Sequence, residues 1–314
     1  MAKYQFGRPK KRNINQEKVV KFLRKIDFEI ESVNQEWRHL LAFGKFQGKR
    51  AVFKLASTQT TTPRTQNEFN WNEAIHLVSK KQHLSFTVPE NYSSGYYDKL
   101  FYFIAERFTG KPLANPNSHS LSEVVPKIRQ IAKMTREIEV LDIPKNCAFG
   151  QAKKHKREES QTPIGHVLLS SATEWASRVP RNLDKFTKII EAAKDKVRTA
   201  PAHGDYVVRQ MYQVKDKIGL IDGEHAGNRG PLHYDAAQFY LRLRNDHGGK
   251  KLATKYLEEF QNLLSKSDSD IFWEELKPVL IQRYLGDLWG ASKNEKRLKQ
   301  LKPLGTEILN DSII

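Results

Sequence analysis

Apolar positions along the chain change their period part-way through, from the alternation of strands to the wider spacing of helices. Val19, Val20, Phe22, Leu23 and Ile26 have helical spacing over Asn15–Lys25. Phe28–Val33 then alternates as a strand does, Asn34-Gln35-Glu36 supplies a turn, and Trp37–Phe46 resumes the alternation. A second tight turn at Gln47-Gly48-Lys49 leads into Arg50–Ala56, so this part of the chain predicts three antiparallel strands. Ser57–Thr65 is rich in threonine and reads as a loop, followed by a helix over Asn67–Lys81. Val88-Pro89-Glu90 opens a further strand to Tyr97. Leu100–Phe108 is an apolar strand, and Gly110 lets the chain turn away from it.

From Leu121 the spacing becomes helical. Val124, Val125, Ile128, Ile131, Ala132 and Ile138 form an apolar stripe that ends at Leu141-Asp142-Ile143-Pro144. Further helices are expected over Val167–Ser177, Leu183–Arg198, Tyr234–Arg244, Lys250–Leu264 and Asp270–Tyr284, with a basic segment last. Leu252, Tyr256, Phe260 and Leu263 are core candidates, as are Phe272, Leu276, Leu280 and Tyr284. Inside this helical part, Met211–Val214 and Ile218–Ile221 read as short strands around a Lys215-Asp216-Lys217 turn, while Gly227–Pro231 reads as a loop. Strands first and helices afterwards predict an α+β fold. A chain of 314 residues is long enough for two lobes, each with its own core.

Composition narrows the classes. The 39% hydrophobic and 28% charged residues are those of a soluble globular protein. No apolar run approaches the roughly 20 residues that span a bilayer, and the basic start is not followed by the apolar segment of a secretory signal. The single cysteine, Cys147, excludes an intrachain disulfide and suits a reducing cytoplasmic setting. The net charge of +17 is concentrated in part at Arg8–Arg12, Lys153–Arg157 and Lys293–Lys302. Such charge attracts polyanions. The lysines are nevertheless scattered and carry no nucleic-acid motif, so they read as solvated faces. The same charge argues against a strongly cationic substrate. Asn146–Thr162, polar and highly charged, reads as a surface loop.

The candidate chemistry lies in His203–Glu224. Asp205 sits in a His-Gly-Asp turn, Gln210 precedes the strand Met211–Val214, and Asp222 ends the apolar run Ile218–Ile221. One carboxylate can take the proton of an attacking hydroxyl. The other, with the amide oxygen of Gln210, can hold a hard cation that prefers oxygen ligands. This set suits phosphoryl transfer from a magnesium nucleotide. An aspartate in a turn also suits plain local hydrogen bonding.

The segment His203-Gly-Asp205-x-x-x-x-Gln210, followed by an apolar strand ending in Ile221-Asp222-Gly223-Glu224 and then by Tyr234-Asp235-Ala236, resembles the catalytic segment of the aminoglycoside phosphotransferase and choline kinase group of kinase-like enzymes. That resemblance implies a two-lobed protein-kinase-like fold, with a small antiparallel sheet over 1–109 ahead of a larger helical lobe over 110–314. It implies ATP and Mg2+ as cofactors and a small-molecule hydroxyl as acceptor. Asp205 stands at the catalytic base, Asp222 at the metal-chelating aspartate and Gln210 at the magnesium-binding asparagine. Gln replaces Asn there, and Gly223 replaces the usual aromatic residue.

In Ala-Val-Phe-Lys54-Leu-Ala the lysine stands where the group grips the nucleotide phosphates, although a lysine on a half-exposed sheet also suits solvent. Either Glu68 or Glu73 would orient it. The run Leu100–Leu113 resembles the group's hinge, in which backbone groups around Glu106 to Phe108 bind adenine. His203 would hold the turn and Asp235 would brace it. Arg209 would approach the transferred phosphate or stay solvated, and Glu224 would assist the cation or pair with a basic residue. The alternative to catalysis is a degenerate kinase-like protein that binds nucleotide or a partner.

Overall fold

The computed structural model describes residues 14–114, 120–144, 147, 149 and 162–313. Residues 1–13 with the Arg8–Arg12 cluster, the Lys153–Arg157 cluster, and most of the loop expected over Asn146–Thr162 lie outside the described residues.

Asn15 caps helix α1 (Gln16–Lys25), its side-chain oxygen accepting the Lys18 N–H at 3.0 Å. Val19 and Leu23 turn the buried face of α1 onto a five-stranded antiparallel sheet. Its first strands are β1 (Phe28–Gln35), β2 (His39–Phe46) and β3 (Lys49–Ala56). Helix α2 (Thr62–Ser79) and a short β4 (Phe86–Thr87) follow, then β5 (Asn91–Tyr97) and β6 (Leu100–Glu106), which complete the order β1-β2-β3-β6-β5. The tight turns have the left-handed residue pairs that match strand twist, Gln47–Gly48 at φ 52° and 74° and Asp98–Lys99 at 47° and 64°.

The second lobe contains α3 (Ile128–Glu139), α4 (Ile164–Ala176), α5 (Asp184–Ala193) and the strand β7 (Thr199–Ala202). Strands β8 (Met211–Val214), β9 (Lys217–Leu220) and β10 (Gly227–Pro231) come next. The chain closes with α6 (Tyr234–His247), α7 (Lys250–Gln261), α8 (Lys266–Asp270), α9 (Phe272–Gly290) and α10 (Glu295–Leu309). The lobes are stitched together: β4 lies parallel to β9, with Phe86 opposite Ile218. Trp71, Ile75 and Val78 of α2 belong to the same apolar core as Ile131, Phe239 and Leu280. Among the described residues, no helix is long and apolar enough to cross a membrane.

The expected α+β class, an antiparallel sheet ahead of a mainly helical part, is the observed one. Three local expectations are corrected. The loop expected over Ser57–Thr65 is shorter, because Pro63, whose fixed φ suits a first turn, sits at the start of α2. The loop expected over Gly227–Pro231 is strand β10, paired antiparallel with β7. The helix expected to run from Leu183 to Arg198 stops earlier, at Ala193 in α5, with a single 3-10 turn over Lys194–Lys196 before β7. Gly227, Gly230, Pro201 and Pro231 hide both strands from propensity, and a register shift between Gly227 and Gly230 accommodates them.

Candidate active site

Alternation along β3 turns Phe53 and Leu55 into the sheet's core and leaves Lys54 on the opposite face, towards α2. Lys54 Nζ lies 2.5 Å from Glu68 Oε2 and 2.8 Å from Asp222 Oδ1. Burial works against the lysine charge, but Asp222, Glu68 and Glu224 outweigh it and hold the ammonium above the usual lysine range. Burial likewise opposes ionisation of Asp222, and Lys54 overcomes it, leaving that carboxyl well below the usual range. For Glu68, burial outweighs the same lysine and pushes its carboxyl up to about 7, with the Asp222 charge adding to the shift. Of the two candidate partners, Glu68 meets Lys54; Glu73 instead accepts the Asn91 side-chain N–H at 2.7 Å, at the start of β5.

The His-Gly-Asp turn is built by backbone bonds. Gly204 has φ 81°, and a Cβ there would lie 2.5 Å from the His225 carbonyl oxygen, so only glycine fits. Asp235, in the first turn of α6, accepts the backbone N–H groups of His203 and Gly204 at 2.6 and 2.9 Å. Burial pushes its carboxyl up to about 7 against these two donors. His203 is fully buried; burial pulls its pKa down, and the neutral ring donates from Nε2 to the Ile221 carbonyl at 3.1 Å. Trp71 packs edge-on against the same ring, with centroids 5.8 Å apart.

Gln210 joins the two carboxylates. Its Nε2 donates to Asp222 Oδ2 at 2.9 Å and reaches Asp205 Oδ2 at 3.3 Å, while its backbone carbonyl accepts the Ile221 N–H at 3.0 Å. Arg209 Nη2 lies 3.5 Å from Asp205 Oδ2 and is otherwise exposed. Asp222 adopts a left-handed backbone at φ 69° and ψ 43°, which aspartate tolerates better than branched residues. The position after it has no room for an aromatic side chain: a Cβ on Gly223 would meet Trp71 Cδ1 at 2.3 Å. The Trp71 ring of α2 fills that space.

Sequence reasoning missed the residues that fix this loop from the other lobe. Asn67 Nδ2 donates to the carbonyls of Gly223 and Ala226 at 3.2 and 2.9 Å. Glu224, 2% exposed, faces Arg38 at 2.8 Å and His225 at 3.2 Å, so it is paired with basic residues. These contacts cross the fold and leave no local spacing to detect. The alternation put Arg38 in the strand expected over Trp37–Phe46, whereas it lies in the turn between β1 and β2.

Among the described residues no group of three or more His, Cys, Asp or Glu side chains is placed to hold a metal ion by itself. The available donors are the Asp222 carboxylate and, after a half-turn of its amide, the Gln210 oxygen. Two oxygen donors beside a lysine fit a hard cation that takes its remaining ligands from phosphate and water. Glu106 is the last residue of β6, and Phe108 lies two residues beyond it. The Glu106 N–H donates to the Glu90 carbonyl at 2.8 Å, the Arg107 N–H to Arg50 on the opposite side at 3.2 Å, and the Phe108 ring packs beside Tyr212.

No protein-family model matches the sequence, and no curated protein matches it. Solved structures do match. A thermostable mutant of aminoglycoside phosphotransferase APH(4)-Ia, in ternary complex with ADP and hygromycin B, aligns over 93% of this chain and 97% of its own, with a TM-score of 0.64 and 13% identity. The GDP and kanamycin complex of APH(2")-IIia aligns over 94% and 99%, with a TM-score of 0.58 and 13% identity. Choline kinase LicA from Streptococcus pneumoniae aligns over 95% and 100%, with a TM-score of 0.53 and 13% identity. The fold is therefore shared over nearly the whole chain, and the resemblance read in His203–Glu224 is borne out at that level.

Proposed function

We propose that this protein is a phosphotransferase that moves the γ-phosphoryl group of ATP, with Mg2+, to a hydroxyl of a small molecule. The observation that carries this reading is one unbroken chain of contacts: Asp205 to Gln210 at 3.3 Å, Gln210 to Asp222 at 2.9 Å, Asp222 to Lys54 at 2.8 Å and Lys54 to Glu68 at 2.5 Å. Structures of the same fold hold ADP or GDP beside an aminoglycoside, which supports a nucleotide and a small acceptor here.

In this reading residues 1–109 form the nucleotide lobe and 110–314 the lobe with the catalytic loop. Strand alternation supports Glu106 and Phe108 as the adenine contacts. With the Arg107 N–H committed to Arg50, the backbone groups on either side of it point the other way. Lys54, oriented by Glu68, neutralises phosphate charge. Asp222 and Gln210 hold magnesium, which supplies further neutralisation of the phosphates when bound. Asp205 orients the acceptor hydroxyl and takes its proton as the new O–P bond forms, while the electron pair of the broken O–P bond leaves with ADP. Such a site works by positioning and fixed charge. The cytosol, where Cys147 stays reduced, is the proposed setting.

Asp205→Asn should keep its affinity for MgATP and lower acceptor-stimulated ADP formation by about 10²–10⁴-fold, the usual contribution of a general base. Full turnover in that variant would sink the assignment. The Gln210 amide, whose N–H group points at both carboxylates, favours a second reading, a nucleotide binder without transfer. That protein would take up MgATP and form no ADP with any acceptor.

A further inference from the structure

The turn between β1 and β2 brings a second permanent cation to the charged cluster. Arg38 Nη1 lies 2.8 Å from Glu224 Oε1, and its guanidinium carbon sits 4.7 Å from the centre of the Trp37 ring. Glu224 is held in place from three sides. His225 Nε2 is 3.2 Å from the same oxygen, Asn67 clamps the carbonyls around it, and the side chain is buried. The neighbouring His39 adds no charge: burial pulls its pKa down to about 3, and its Nε2 is bonded to Thr65 Oγ1 at 3.0 Å. Three carboxylates, Glu68, Asp222 and Glu224, therefore face two permanent cations, Lys54 and Arg38. Lys54 is already gripped by two of them. Arg38 makes one ion pair, stacks on Trp37 and keeps 24% of its side chain exposed.

We propose that Arg38 is a phosphate-contacting residue: the β1–β2 turn carries its guanidinium to a terminal phosphate of the nucleotide, and Glu224 is the partner that holds it when no phosphate is there. The inference rests on the nucleotide-binding reading above. A planar guanidinium offers several N–H donors in a fork that matches two phosphate oxygens, so a dianionic phosphate outcompetes a single carboxylate contact. Trp37 limits the directions in which the side chain can move. Because Glu224 directly follows the Asp222-Gly223 turn, the parked guanidinium already lies at the phosphate end of the cleft.

The test is calorimetric titration of the full chain and its variants with MgATP, MgADP and adenosine, with thermal unfolding to confirm that each variant folds. Arg38→Ala should weaken MgATP at least about tenfold and MgADP less, and leave adenosine within about twofold. Arg38→Lys, which keeps the charge without the fork, should recover part of the loss. Glu224→Gln, which frees Arg38, should bind MgATP as tightly as the wild type or more tightly, and it serves as the test if Arg38→Ala does not fold. Equal affinities in wild type and Arg38→Ala, equal losses for all three ligands, or a loss in Glu224→Gln matching that in Arg38→Ala would each overturn the proposal. The last outcome would make the pair a clasp between lobes and nothing more. A wild-type protein that takes up no MgATP would overturn both this inference and the nucleotide reading.

Discussion

Asp222 concentrates the competing forces of the site in one side chain: one oxygen on Lys54, the other on Gln210, and a backbone in the left-handed region. Asn has nearly the same shape and also tolerates that backbone, so Asp222→Asn removes charge without forcing a new turn. It should fold and lose at least about 30-fold in MgATP affinity, the equivalent of about 2 kcal/mol for a buried charged contact. Titration with and without Mg2+ measures the loss, and an unchanged metal-dependent affinity would contradict the role given to Asp222. The two carboxylates of this centre and the amide between them were legible in the sequence because Asp205, Gln210 and Asp222 lie in one short segment. The choice between Glu68 and Glu73 was not. The two lie about 140° apart around a helix, so only one can face Lys54, and the phase of α2 could not be set while its start was read late, at Asn67 rather than Thr62.

At the scale of elements, α2 does the joining. Glu68 reaches Lys54, and Trp71, three residues on along the same face, packs against His203 and in the space above Gly223. Trp71 and residue 223 therefore compete for one volume. Trp71→Ala should cost about 3–5 kcal/mol as a truncation of a buried tryptophan, and Gly223→Phe about 1–3 kcal/mol by overpacking. The double variant should be at least about 1 kcal/mol more stable than the sum of the single losses allows. Urea unfolding of the four proteins gives the coupling, and simple additivity would show that the two sites do not share that space. Apolar periodicity disclosed the sheet and the principal helices, since their buried faces repeat along the sequence. It could not disclose β7 and β10, whose pairing is long-range and whose glycines and prolines have the composition of a loop.

Across the whole molecule, the ends of the helical lobe are tied by charge. Arg244 of α6 donates two bonds to Glu307 of α10, at 2.7 and 2.8 Å, and Lys250 at the start of α7 adds a third at 2.9 Å. The Arg244 bonds and Lys250 hold the Glu307 carboxyl down at about 2, below its ordinary value of 4.5. The unfolded chain takes up this proton first as pH falls. The stabilisation is therefore full above about pH 4.5 and is lost on the way down to about 2. Glu307→Gln should cost about 1–3 kcal/mol at pH 7, and the gap to wild type should close as pH falls through that window. A gap independent of pH would mean that packing of α10, not charge, is what the substitution disturbs. None of this network was visible in the sequence, where the same residues contribute only to a net charge of +17. The order of sheet and helices was visible, and the two-lobed class came from it together with the resemblance carried by His203–Glu224.

The central claim is chemical, and it is tested most directly by incubating the purified protein with MgATP and a panel of small hydroxyl compounds and weighing the products. Appearance of an acceptor carrying one added phosphoryl group, matched by an equal amount of ADP and abolished in Asp205→Ala, is the expected result. Product formation undiminished in Asp205→Ala, or tight MgATP binding with no acceptor modified and no ADP released, would contradict the account.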